Sequence, residues 1–268
     1  MEEYYIEKQI SNNYICDLDK MVENMRNNKR VIFTKFGDGE FACMNKEQGE
    51  NCDGDKYSEK MGEELREAFI ILCNLYNFKN ENVYLGRWHS RMDVIIRYYG
   101  TLYYEYLINN NKPIKDIPYV DYHFCYNYHP FGFKKNNLYD FVKTVKENSK
   151  YKILITNENN IKLNDVFGSK FFLKIENKCW YNKYNNVYNY LDKILSADDN
   201  AIVIIAGGLA SKILIKDLAL KFNNTSFIDI GSGFDLIATK KLSRSWEHGY
   251  HTYQDEYEYY KNLLPDNY

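Results

Sequence analysis

This sequence predicts an α/β fold: a mainly parallel, twisted sheet with helices on both faces. Two observations carry that expectation. Short, near-continuous apolar runs (RVIFTKF at 30–36, YKILIT at 151–156, AIVIIA at 201–206, SFIDI at 226–230) read as strands covered on both faces. Amphipathic stretches separate them, which is the rhythm of a sheet wound through crossover helices. In such a sheet ligands bind beyond the carboxyl ends of the strands. The loops after Phe36, Arg87, Thr156, Ala206 and Ile230 are therefore the places to search.

The elements follow in chain order. Ile15, Leu18, Val22 and Met25 fall at helical spacing and predict an N-terminal helix over 14–28. A strand over 30–36 leads into a loop over 37–56, a helix over 57–76, a strand over 82–87 and a helix over 91–107. The second half reads as a strand at 118–125, a helix at 138–147, strands at 151–156 and 170–175, and a helix at 184–195. It continues with a strand at 201–206, an amphipathic helix at 209–222 and a strand at 226–230. The polar, aromatic tail over 240–268 is expected to pack on this unit, making a single domain of 1–268. No linker, repeat or low-complexity tract divides the chain.

Composition narrows the function. With 35 basic and 37 acidic residues the formal charge is -2, which argues against a nucleic-acid binder driven by bulk charge. The longest apolar run, 201–210, is far below the roughly 20 residues of a membrane span. The acidic start, MEEYYIEKQI, lacks a signal-peptide pattern, so a cytoplasmic protein without an integral membrane segment is expected. The 6 cysteines form no CxxC pair and read as reduced thiols. The 27 tyrosines suit sugar stacking as well as half-buried surfaces.

Four constellations carry candidate chemistry. In Lys35-Phe36-Gly37-Asp38-Gly39-Glu40, two glycines permit a sharp turn at a strand end, and Asp38 and Glu40 could aim two carboxylates at one hard cation, Mg2+ or Mn2+. The plain alternative is a solvated turn. Cys52-Asp53-Gly54-Asp55 resembles an Asp-x-Asp metal motif, but with no strand before it a turn leading to a helix cap near Ser58 is the better reading. The stretch AIVIIAGG followed by LASKILIKDLALKF is a strand, a Gly207-Gly208 turn and a helix whose N-terminus suits a diphosphate, although it lacks both GxGxxG and the P-loop pattern. Phe227-Ile-Asp-Ile-Gly-Ser-Gly-Phe-Asp235 resembles the first motif of S-adenosylmethionine-dependent methyltransferases, with Asp235 in place of the third glycine and few residues left for further βα units. His89, the Asp121/His123 pair, His129 and the His248/His251 pair suggest no catalytic order.

Taken together, FGDGE at 36–40 and the IIAGGLASKILIKDLA...FIDIGSGFD stretch resemble the glycosyltransferases of the GT-D fold, a family first catalogued as a domain of unknown function. The resemblance spans about 30–247 and is concentrated in these two patches. It implies a Rossmann-like fold, transfer of a sugar from a nucleotide-sugar donor, and metal and donor binding by Asp38 and Glu40. The family's opening Arg is Lys35 here, which keeps the charge and loses the bidentate fork. On this reading a UDP-sugar is the expected donor and a glycan the acceptor, with Mn2+ or Mg2+ stabilising the departing diphosphate. Lys35, Gly37, Gly39, Gly207, Gly208 and Arg87 or Arg91 would contact the donor. Asp93, Asp121, Glu158 or Asp235 would supply a base if the anomeric configuration inverts, with Asp235 grouped with Asp38 and Glu40 as the catalytic set. A homodimer is compatible with the pattern. The alternatives are an S-adenosylmethionine-dependent methyltransferase and a non-catalytic glycan- or nucleotide-binding module.

Overall fold

The computed structural model describes residues 18–51, 53–79, 81–87, 119–121, 138–241, 252–266 and 268. Seven strands form one sheet: β1 (Ile32–Lys35), β2 (Val83–Arg87), β3 (Tyr119–Asp121), β4 (Tyr151–Thr156), β5 (Phe171–Lys174), β6 (Ala201–Ile205) and β7 (Ser226–Asp229). Their order is β3-β2-β1-β7-β6-β4-β5, and each neighbouring pair is parallel. The α/β expectation is met.

Side-chain alternation along the strands makes two cores. Ile32, Val83, Ile153, Val203 and Phe227 face one, and Phe33, Tyr84, Leu154, Ile204 and Ile228 face the other. The helices are α1 (Leu18–Arg26), α2 (Asp38–Met44), α3 (Glu59–Lys79), α4 (Leu138–Glu147), α5 (Leu163–Phe167), α6 (Tyr184–Ala197), α7 (Ala210–Lys221), α8 (Asp235–Thr239) and α9 (Tyr253–Tyr260). Residues of α2, α3, α6 and α7 fill the first core, and residues of α1, α4, α5, α8 and α9 fill the second. Every residue of β1, β6 and β7 is buried. Each large apolar side chain there contributes about 1.5–3 kcal/mol relative to exposure. Edge strand β5 is only half-buried and carries Lys174 outward.

Several expectations shift. The segment 37–56 is not loop throughout, because α2 starts at Asp38. Gly39 weakens its helical propensity, but Phe41, Cys43 and Met44 bury in the first core, and tertiary burial overrides the local preference. Helices α5, α8 and α9 lie where the sequence reads as loop or tail; from the tail, Tyr260 is fully buried and Leu263 nearly so. Residues 14–17, the 91–107 helix, 122–125, His89, His123, His129, His248 and His251 lie outside the described residues. Cys43, Cys73 and Cys179 are free thiols.

The amino end of the sheet is a structural end. Arg30 donates to the carbonyls of Ala219, in the last turn of α7, and Thr225, while Lys152 donates to those of Lys146, in the last turn of α4, and Asn148. Buried cations thus satisfy carbonyls at the negative ends of two helices.

Candidate functional site at the carboxyl ends of β1 and β7

Strands β1 and β7 are neighbours in the centre of the sheet, and their chains leave in opposite directions. After β1 the chain enters α2 and α3 over the first core; after β7 it enters α8 over the second. In open α/β sheets such a divergence is where the ligand crevice is expected, beyond the carboxyl ends. It is lined by the two segments the sequence singles out, 36–40 and 229–235, with the turn after β6 beside them.

A buried charge cluster joins these segments. The Lys212 ammonium, in the first turn of α7, lies 2.9 Å from Glu40 Oε1 and 2.9 Å from Asp229 Oδ2. The three side chains are only 5%, 8% and 0% exposed. Glu40 Oε2 accepts from the Gly37 N–H at 2.8 Å, closing the turn at the start of α2. Asp229 Oδ2 also accepts from the Lys35 N–H at 3.4 Å, and Oδ1 accepts from the Gly231 N–H at 3.1 Å. Burial alone would lower the Lys212 pKa, but Asp229 and Glu40 outweigh it and hold it above the ordinary lysine value. Removing the cation would leave two carboxylates buried together, a loss of about 3–5 kcal/mol for a pair of this kind.

Lys35 is buried rather than offered to a ligand. Its Nζ donates to the Ile230 carbonyl at 3.1 Å, and a Cβ on Gly231 would stand 2.3 Å from that nitrogen. Gly86 gives the same side chain room from β2, since a Cβ there would meet Lys35 Cγ at 2.7 Å. Asp38, by contrast, is exposed at the first position of α2.

The Gly207-Gly208 turn is packed by the protein itself. Trp180 Nε1 donates to the Gly207 carbonyl at 2.5 Å. Gly208 has φ +59°, and a Cβ there would lie 2.5 Å from Asp55 Oδ2. Asp55 is buried, accepts from the Cys179 N–H at 2.8 Å, and is braced by Asn51, whose Oδ1 accepts from the N–H groups of Asp53 and Asp55. The 51–55 segment is thus a turn that carries a buried acid against the start of α7, and Ser58 caps α3 through the Met61 N–H. Gly39 faces the same segment, its would-be Cβ 3.1 Å from Asn51 Cβ.

On the far side of the crevice Asp235, half-buried, accepts from Asn160 Nδ2 at 3.0 Å. Asn160 itself is buried beside Thr156, the last residue of β4. Glu158 pairs with Lys174 at an exposed position instead. Arg91 and Asp93 lie outside the described residues, as do the side chains of Arg87 and Asp121.

The structure therefore brings Lys35, Gly37, Asp38, Gly39, Glu40, Gly207 and Gly208 to one end of the sheet centre, but the two carboxylates of the motif have different surroundings. Among the described residues no group of three His, Cys, Asp or Glu side chains could cage a metal. An exposed Asp38 fits a Mg2+ or Mn2+ ion held jointly with phosphate oxygens and water, the usual arrangement for nucleotide-bound cations. Sequence reasoning missed Lys212, Asn160 and the buried role of Asp55. A partial signal for Lys212 was present: Lys212 and Lys216 sit four apart, on one face of a mostly apolar helix.

No family model matches the chain, and no curated protein does. Solved structures do match. One, of domain of unknown function 1792 and described as a distinct glycosyltransferase fold, has TM-score 0.60 and 19% identity over 90% of this chain and 88% of its own. A selenomethionine-substituted structure of that domain gives TM-score 0.59 and 18% identity over 90% and 88%. A third, described as a new glycosyltransferase of this domain type from Streptococcus sanguinis, gives 0.54 and 15% over 84% and 85%. At these identities the likeness is one of architecture: the chain has the fold of the domain-of-unknown-function-1792 glycosyltransferase structures.

Proposed function

We propose that this protein is a metal-assisted glycosyltransferase that moves a sugar from a nucleotide-sugar donor, a UDP-sugar, to a glycan acceptor. The observation that carries the reading is the exposed Asp38 just beyond the carboxyl end of β1, beside β7, on a fold shared with structures described as glycosyltransferases.

Each residue has a role in this reading. Asp38 holds the cation together with the donor's phosphates. When bound, that Mn2+ or Mg2+ supplies Lewis-acid stabilisation of charge on the leaving diphosphate. Gly37 and Gly39 let the backbone of the turn approach the donor, and Glu40 fixes the turn through the Gly37 N–H. The Gly207-Gly208 turn borders the donor, with its shape set by Asp55 and Trp180. Lys35 supports the floor through the Ile230 carbonyl, and Arg91 is the cation assigned to the diphosphate. Asp235, oriented by Asn160, is the base that takes the acceptor hydroxyl proton in an inverting transfer.

The methyltransferase reading finds no support in the geometry. Asp229, its motif acid, is fully buried and paired with Lys212.

A thermal-shift panel of UDP-, GDP-, CMP- and dTDP-sugars with and without Mn2+ tests the proposal, with S-adenosylmethionine as a control. A ligand at a hundredfold excess over its Kd stabilises by about 2.7 kcal/mol. The expected result is a Mn2+-dependent shift with UDP-sugars that Asp38→Ala abolishes. A shift with S-adenosylmethionine alone, or a full shift retained in Asp38→Ala, overturns it.

A further inference from the structure

The two carboxylates of the 38–40 segment are not equivalent. Glu40 has a donor on each oxygen, Gly37 N–H on Oε2 and Lys212 on Oε1, and is nearly buried. Lys212 is held from four sides, by Glu40, Asp229, the Gly208 carbonyl at 3.0 Å and Ser211 Oγ at 3.3 Å. A cation in the first turn of a helix is opposed by the helix dipole. Its position is therefore set by the two carboxylates it joins. A divalent ion approaching Glu40 Oε1 would meet a like-charged ammonium 2.9 Å from that oxygen. Asp38 is exposed, and among the described residues no ammonium or guanidinium is paired with it.

We propose that Lys212 is a positioning residue: it binds Glu40 into the fold, between the Phe36–Glu40 turn and Asp229, and leaves Asp38 as the carboxylate of the pair that meets the donor's cation. The inference rests on the transferase reading for the identity of that cation and divides the labour within the motif. One carboxylate is a poor cation site without phosphate oxygens, so metal and nucleotide enter together. Removing the Lys212 charge while keeping its length frees Glu40 and Asp229 to take a cation directly. That consequence is opposite to what loss of a merely structural lysine would give.

The test is Mn2+ binding by electron paramagnetic resonance, with and without UDP, alongside UDP titration calorimetry and thermal melting. The wild-type protein is expected to bind Mn2+ weakly alone and tightly with UDP. Asp38→Asn is expected to keep the wild-type Tm and lose the Mn2+-dependent gain in UDP affinity by about tenfold or more, the loss typical of disturbing a metal's protein environment. Glu40→Gln is expected to keep that gain and lower the Tm by several degrees. Lys212→Met is expected to bind Mn2+ more tightly than wild type in the absence of UDP, and Lys212→Arg is expected to restore the wild-type pattern.

Tight Mn2+ binding by the wild type without UDP, or loss of the UDP gain in a folded Glu40→Gln, overturns the proposal. If Lys212→Met does not fold, the wild-type and Glu40→Gln measurements still decide it. Failure of the transferase reading looks different: the wild type then binds no UDP at any Mn2+ concentration. In that case equal melting of Asp38→Asn and Glu40→Gln overturns the positioning role, and a lower Tm in Glu40→Gln alone sustains it.

Discussion

Gly208 is where a single hydrogen atom in place of a side chain matters most. Its φ of +59° is left-handed, and Asp55 Oδ2 occupies the space a Cβ would need, 2.5 Å away. The left-handed conformation alone costs a non-glycine residue about 1–2 kcal/mol. Asp55 cannot yield freely, because its other oxygen holds the Cys179 N–H and Asn51 braces its backbone. Gly208→Ala is therefore expected to lower the Tm by about 2–8 °C, the range that 1–2 kcal/mol produces in a chain of this size. Gly39→Ala should cost less, since Gly39 has no positive φ and its nearest neighbour is 3.1 Å away. Differential scanning calorimetry of the two variants checks the ranking, and equal stability of Gly208→Ala and wild type would refute it. At this scale the sequence located the glycines and acids but not their tasks. Nothing local to Asp38-Gly39-Glu40 says which carboxylate meets a lysine at position 212, because that pairing is made by the sheet.

Strand β1 shows why the elements were more legible than the site. Its residues Ile32, Phe33, Thr34 and Lys35 are all buried, and such a strand announces itself as an apolar run. The same holds for β4 and β6, whose expected and observed spans agree to within a residue. Helix α2 was invisible because its stability comes from Phe41, Cys43 and Met44 packing on the first core while its first turn reads Asp-Gly-Glu. Within β1, Thr34 breaks the apolar rule: its Oγ1 is buried and has no hydrogen-bond partner among the described residues. An unmatched buried hydroxyl is unfavourable by about 1–3 kcal/mol. Thr34→Val, which keeps the branched shape, is expected to raise stability by about 1 kcal/mol and leave donor binding unchanged. Chemical denaturation measures this directly. A drop in the denaturant midpoint would mean that the hydroxyl makes an interaction the static geometry does not contain.

Across the whole molecule, burial of tyrosine sets the alkaline limit of the fold. Burial, with Asp198 and Asp199 adding to it, pushes the Tyr151 phenol up to about 12. Burial also raises Tyr181 and Tyr184, reinforced by hydrogen bonds to Glu64 and Asp217, and raises Tyr268 with help from Tyr253 and Asp165. An unfolded tyrosine titrates near pH ~10. Above that pH the unfolded chain releases protons that the native chain retains, so stability present below pH ~10 is lost as pH rises through the native values. For Tyr151 that window runs from about pH 10 to about 12. Lys212, raised by its two carboxylates against burial, acts in the same direction. Lys150 and Lys152 act in the opposite one, because burial lowers them and the unfolded chain then binds more protons in the alkaline range. Four buried tyrosines and Lys212 act in the first direction against these two lysines, so the net slope is expected to be downward. Tyrosinate absorbance is therefore expected to grow in two phases on alkaline titration. The first reports exposed phenols with the fold intact; the second coincides with the loss of far-ultraviolet circular dichroism. A single phase, complete while the dichroism is unchanged, would show that Tyr151, Tyr181, Tyr184 and Tyr268 are reached by solvent without unfolding. The burial argument for Tyr184 and for the C-terminal Tyr268 would then fall.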